Sequence, residues 1–139
     1  MNLKIKRLDP DLPLPAYATE QSSGLDLYST ENRVIAPGES ALIPAGVAVE
    51  IPAHHEGQVR PRSSITRRCL ILPTGTIDAD YRGEIAIVLI NAGREVQHIS
   101  RGDRIAQLVI APVARCWVEV VEELGDTERG AEGFGSTGR

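Results

Sequence analysis

The sequence predicts an all-β domain, a jelly-roll-like barrel or sandwich, carrying one short helix and a glycine-rich C-terminal arm. Three observations predict it. Apolar residues fall in short alternating or clustered runs: LKIKRL (3–8), ALIPAGVAVEI (41–51), EIAIVLI (84–90), RIAQLVI (104–110) and CWVEVV (116–121). Turn dipeptides punctuate the chain at Pro37-Gly38, Ala45-Gly46, Glu56-Gly57, Ala92-Gly93 and Arg101-Gly102. Helical periodicity is nearly absent. Short strands with regular turn signals build packed antiparallel sheets.

In chain order, SGLDLYS (23–29) sets Asp26 between two leucines in a half-buried strand, where a carboxylate needs a partner or a role. SSITRRC (63–69) follows Pro61 and opens with two hydroxyl residues fit to cap a short helix. GTIDADYRGEI (75–85) spaces Asp78 and Asp80 two apart, on one face of an extended strand. In GDRIAQLV (102–109), Arg104 and Gln107 bring a charge and an amide into an apolar strand. From Glu122 the chain turns polar and glycine-rich, so the packed body is expected to span 1–124 and the arm 125–139.

Composition bounds the function. A chain of 139 residues with 42% hydrophobic content suffices for one domain with a real core. Its longest apolar run, Ile85 to Ile90, is far below the roughly 20 residues of a membrane helix, so no membrane span is expected. MNLKIKRLDP has no apolar export region, and a cytoplasmic location is expected. Cys69 and Cys116 lack metal-knuckle spacing and are expected to be buried thiols. His54, His55 and His98 read as surface or loop residues. A net charge of −4 argues against a general nucleic-acid binder. The 13 Arg against 2 Lys would suit a small anionic ligand, because the guanidinium fork grips phosphate bidentately, although for the skew alone a composition bias is the better explanation.

Three stretches carry chemistry. VRPRSSITRR (59–68) places Arg62, Ser63 and Ser64 at the start of the short helix, where unpaired N–H groups could hold an anion. In GTIDADYRGEI (75–85) Asp78 can act as a general base, with Tyr81 as a flat platform; a calcium loop is excluded because Arg82 and Leu89 fall where oxygen ligands are required. The tail RGAEGFGSTGR holds four glycines and the sole phenylalanine, Phe134. It matches G-x-G-x-x-G but lacks the strand and helix that the dinucleotide motif needs. Its local physics is a detached phosphate cradle, with a ring on which a nucleobase could stack.

Taken in order, SGLDLYS, PRSSITRR, GTIDADYRGEI, GDRIAQLV and RGAEGFGSTG resemble the five ordered motifs of the trimeric dUTPase family, from Ser23 to Gly138. The resemblance implies a homotrimer with active sites between subunits, dUTP as substrate and Mg²⁺ as cofactor, yielding dUMP and pyrophosphate. It implies that Asp78 activates the attacking water and that Tyr81 packs under deoxyribose. Arg62, Ser63, Ser64 and Gln107 would contact phosphates, and Asp26 would lie near the metal–phosphate end, touching the metal through water. Backbone around Gly75, Thr76 and Ile77 would read uracil. Arg129, Gly135, Ser136 and Thr137 would grip the γ-phosphate, with Phe134 stacked over the base. Ser64 stands where the family usually has glycine, and the segment between Ser64 and Asp78 is short, without an asparagine before Pro73-Thr74-Gly75. Two rivals are a dCTP deaminase of related fold and a nucleotide-binding regulatory trimer without catalysis. The DADYRGE stretch and the GFGSTG tail favour dUTP hydrolysis over both.

Overall fold

The computed structural model describes residues 1–131 and residue 133. Among them the order is β1 (Lys4–Arg7), β2 (Leu25–Tyr28), β3 (Arg33–Ile35), β4 (Ser40–Glu50), β5 (His55–Arg60), α1 (Ser63–Thr66), β6 (Leu70–Ile71), β7 (Gly75–Ile77), β8 (Glu84–Asn91), β9 (Gln97–Ile99) and β10 (Arg104–Pro112). The strands form a sheet ordered β1-β4-β8-β6, a second ordered β2-β10-β5-β7, and a β3-β9 pair. All pairings are antiparallel. This is the expected all-β sandwich with one short helix. No helix among the described residues is long and apolar enough to cross a membrane.

Strand alternation builds the core. In EIAIVLI, the inward Ile85, Ile87 and Leu89 are fully buried and meet Leu27, Val59, Ile105 and Leu108 of the second sheet in one cluster. Each such side chain contributes about 1.5–3 kcal/mol of burial. Beyond Glu84 the outward residues of the same strand are also apolar: Val88 pairs with exposed Leu42, and Ile90 pairs with exposed Ile71. Among the described residues Asp26, Ser29 and Asn91 are the buried polar side chains. Buried Asn91 donates through Nδ2 to the carbonyls of Ile35 and Glu95, and its Oδ1 accepts from the Gly93 N–H, so each of its polar atoms is satisfied.

Several expectations are corrected. Ala45-Gly46 lies inside β4, where a bulge between Pro44 and Ala48 uses the positive φ of Gly46, and Glu56-Gly57 lies inside β5. CWVEVV forms no strand. Among the described residues regular structure ends at Pro112, and Trp117, Val118 and Val120 are almost fully exposed, because no strand edge among those residues pairs with them. Both cysteines are exposed rather than buried: Cys69 sits in the turn leaving α1 with φ 57°, and Cys116 lies in the unpaired stretch. The helix is not capped by serine. Arg62 is its N-cap, with extended backbone and no side-chain cap bond, so Ser63 and Ser64 occupy the first turn itself. Asp78 and Asp80 do not share a strand face. The chain leaves β7 at Asp78 and turns, with the Tyr81 N–H donating to the Asp78 carbonyl at 3.1 Å.

Candidate active site

Two candidate clusters form at opposite ends of β5. The first is cationic. Buried Asp26, in the middle of β2, forms an ion pair with Arg62, whose Nε lies 3.0 Å from Oδ1, and accepts from Arg104 Nη1 at 3.2 Å on Oδ2. A buried carboxylate needs such pairing, and here it holds two guanidinium groups at a pocket mouth. Arg62 also donates to the Arg104 carbonyl at 3.3 Å. Gln107 lies opposite both Asp26 and Arg60 in the strand register, and its Nε2 donates to the Pro61 carbonyl at 2.9 Å. This bond fixes the entry to α1. An open cleft of about 420 Å³ is lined by Asp26, Arg60, Arg62, Ser63 and Gln107 together with the Ser22–Gly24 segment. Ser63 heads the helix, and first-turn N–H groups have no intrahelical acceptor. Ser64 faces a neighbouring cleft shared with Tyr28, Arg68 and Arg104.

The second cluster is acidic and aromatic. Strand β7 is the sheet edge, and its pairing sets Gly75 opposite Val59, Thr76 opposite Gln58 and Ile77 opposite Gly57. Alternate backbone N–H and C=O groups of an edge strand point outward and remain available. A cleft of about 280 Å³ brings Thr76, Ile77, Asp78 and Tyr81 together with Glu84 and Ala86. Tyr81 Oη donates to the Glu84 carbonyl at 3.0 Å, and the Glu84 carboxylate accepts from the Gly46 N–H at 2.9 Å, tying the turn to the bulge of β4. Asp78 also borders a larger cleft, about 480 Å³, with His54, His55, Glu56 and Arg115.

The structure therefore brings Arg62, Ser63, Gln107 and Asp26 together, and separately Asp78, Tyr81 and the 75–77 backbone. Asp78 continues β7 beyond Ile77, the partner of Gly57, so it lies at the far end of β5 from Arg62, with about 20 Å of extended chain between. Sequence reasoning missed Arg60, Glu84 and the two glycines that seat functional side chains. Gly24 lies so close to Gln107 that a Cβ there would stand 2.8 Å from its Oε1. Gly83 stands likewise beneath Tyr81. Only their place inside the quoted motifs could have flagged these glycines. Arg129 is described and donates to the Gly133 carbonyl at 3.5 Å. Phe134, Gly135, Ser136 and Thr137 lie outside the described residues.

The profile of the dUTPase family matches residues 11–138. The chain belongs to the dUTPase family. It is 50% identical to the deoxyuridine 5'-triphosphate nucleotidohydrolase of Anaeromyxobacter sp. (strain Fw109-5), covering 100% of this chain and 99% of that protein. It is 51% identical to the protein of the same name from Nautilia profundicola, over the full length of both. Among solved structures, a point mutant of the Staphylococcus bacteriophage 80alpha dUTPase with dUpNHpp superposes with a TM-score of 0.93 at 30% identity, covering 99% of each chain. A dUTPase mutant from phage phi11 of S. aureus, described with a structural Mg(II) ion, matches with a TM-score of 0.84 at 28% identity, covering 88% of this chain and 98% of that one. The dUTPase fold of this chain thus carries all the motif residues that lie in its described part.

Proposed function

We propose that this protein hydrolyses dUTP to dUMP and pyrophosphate, at a site assembled from the Asp78–Tyr81 cleft of one copy and the Arg62–Ser63–Gln107 pocket of another. The observation that carries the reading is the placement of Asp78 and Tyr81 in one cleft against the free edge of β7. An edge backbone presents donors and acceptors in a fixed order, complementary to uracil N3–H and O4 and opposed to cytosine. Gly75 fits this role: a Cβ there would meet Val59 only at an ordinary 3.5 Å, so the protein's own packing does not require glycine. The ring of Tyr81 takes the deoxyribose and leaves no room for a 2′-hydroxyl.

In the reaction, Asp78 accepts a proton from water as the water oxygen bonds to the α-phosphorus. The bond from that phosphorus to the α,β-bridging oxygen breaks, and pyrophosphate leaves with the electron pair. Arg62, with Ser63 and Gln107, holds the phosphates and absorbs developing charge. Arg60 and Arg104 add to the field of the same pocket. Asp26 acts through the arginines that it holds, and its remaining lone pairs can accept from water around a metal.

Among the described residues no group of three or more His, Cys, Asp or Glu could cage a metal ion. This donor set fits Mg²⁺ held by substrate phosphates and water, with Asp26 the nearest protein carboxylate. Bound there, Mg²⁺ would neutralise phosphate charge.

Division of the site between copies is supported by the placement of the two clusters at opposite ends of β5, with about 20 Å of extended chain between them. It is supported too by the exposed apolar face of Leu42, Val88 and Ile71, which suits burial against another copy in a homotrimer. The test is an assay of dUTP, dCTP, dTTP and UTP with Mg²⁺, scoring pyrophosphate and ammonia. Pyrophosphate from dUTP alone is expected. Ammonia from dCTP, or no product from any of them, would overturn the proposal.

A further inference from the structure

Tyr81 and Gly83 make an unusually close pair. An ideal Cβ built on Gly83 would lie 2.3 Å from Tyr81 Oη, 2.5 Å from Cζ and 2.9 Å from Cε2. The ring thus occupies the space that any side chain at position 83 would fill. Gly83 is not in the left-handed region, so its backbone does not itself demand glycine. The demand comes from the ring.

The ring is also fixed at this same end. Its hydroxyl reaches the Glu84 carbonyl, and the Glu84 carboxylate is anchored to the Gly46 N–H. Arg82, between the two, turns its guanidinium onto the carbonyls of Ala79 and Tyr81 at 2.7 and 2.9 Å, closing the turn beneath the ring. Tyr81 nevertheless keeps a face open to the Asp78 cleft and is 44% exposed. The position of the ring at that cleft is therefore set by what lies against its hydroxyl end, and what lies there is a bare α-carbon.

We infer that Gly83 is a positioning residue for sugar selectivity, setting Tyr81 at the level where a deoxyribose fits and a ribose does not; this rests on the reading of Tyr81 as the sugar platform. A methyl group at position 83 has no room while the Tyr81 hydroxyl stays on Glu84. The ring must rotate off that carbonyl and into the cleft. dUTP then loses a fitted contact, whereas UTP, already ill-fitting, loses less.

The test compares kcat/KM for dUTP and UTP in the wild type, Gly83→Ala, Tyr81→Ala and the double variant. Gly83→Ala is expected to lower the dUTP-to-UTP ratio by about tenfold, the scale of a misplaced methyl-sized contact. Tyr81→Ala is expected to lower it at least as far. Adding Gly83→Ala to Tyr81→Ala should change the ratio by less than about twofold, because the two residues act as one unit. A merely structural role would slow both substrates equally and leave the ratio unmoved. If Tyr81→Ala lowers the ratio and Gly83→Ala does not, the inference on Gly83 falls while the reading of Tyr81 stands. If Tyr81→Ala itself leaves the ratio unchanged, both fall. Equal effects of Gly83→Ala with and without the ring would also overturn the inference. Should Gly83→Ala alone fail to fold, a folded double variant shows that the methyl meets the ring, and an unfolded one overturns it.

Discussion

Asp26 Oδ1 lies 3.0 Å from Arg62 Nε in an ion pair, with the carboxylate buried and the guanidinium still partly open to the phosphate pocket. A buried anion thus sets the direction of a cation that must meet a more strongly charged ligand. Replacing Asp26 with Asn keeps the shape but releases both Arg62 and Arg104. We predict a KM for dUTP raised about tenfold, on the scale of a lost charge-assisted bond. Steady-state kinetics check this, and an unchanged KM would remove Asp26 from phosphate positioning.

Asp78→Asn should remove the proton acceptor while keeping the turn that its carbonyl makes with the Tyr81 N–H. Turnover is expected to fall by roughly 10² or more with little change in dUTP affinity. Pyrophosphate release gives the first quantity and equilibrium binding the second. Undiminished turnover would exclude Asp78 as the base.

Gly24→Ala should displace Gln107, since the new Cβ would lie 2.8 Å from Gln107 Oε1 and 2.9 Å from its Cβ. The Cβ is too near the backbone to swing away, so we expect about 1–3 kcal/mol of destabilisation from overpacking. KM should rise as Gln107 leaves the Pro61 carbonyl. Urea unfolding and kinetics measure the two effects, and a wild-type midpoint would contradict the packing.

Asp9 gives a pH signature away from the site. Its carboxyl is held below the ordinary 3.8, first by the side-chain hydrogen bond from Arg101 and then by backbone and charge contributions from Asp11, Arg101 and Arg7. Arg101 reaches it with both guanidinium nitrogens, at 2.5 and 2.9 Å. A depressed folded-state value means that the stabilisation is present above about pH 4 and is lost as pH falls through the folded value. In Asp9→Asn the fall in stability between pH 4 and pH 2 should be shallower, as read by thermal unfolding across that range. An identical slope would mean that the pair carries no proton linkage.

Legibility in the sequence followed periodicity and failed where partners are distant or absent. EIAIVLI and RIAQLVI announced their strands because alternation and burial are local. Asp26 between leucines was recognisable as an anomaly, but its partner Arg104 lies 78 residues away, which no pattern reveals. The three-residue strands β3, β7 and β9 are too short to show a period. CWVEVV has the composition of a strand yet lacks a partner edge among the described residues. Gly24 and Gly83 carry no signal of their own in the sequence, and only the side chains folded onto them show why they are bare.

The division of the site between copies is tested most directly by mixing Asp78→Asn chains with Arg62→Ala chains. Each variant alone should be nearly inactive, one without the base and the other without the phosphate grip. The two are unfolded together, refolded as a mixture and compared with each refolded alone, with the mass of the assemblies verified. In a cyclic homotrimer an equimolar mixture completes about a quarter of the sites, each taking Asp78 from one variant and Arg62 from the other. Recovery of about a quarter of wild-type dUTP hydrolysis is predicted. Verified mixed assemblies with no recovered activity would contradict the shared site and place Asp78 and Arg62 in service of the same chain.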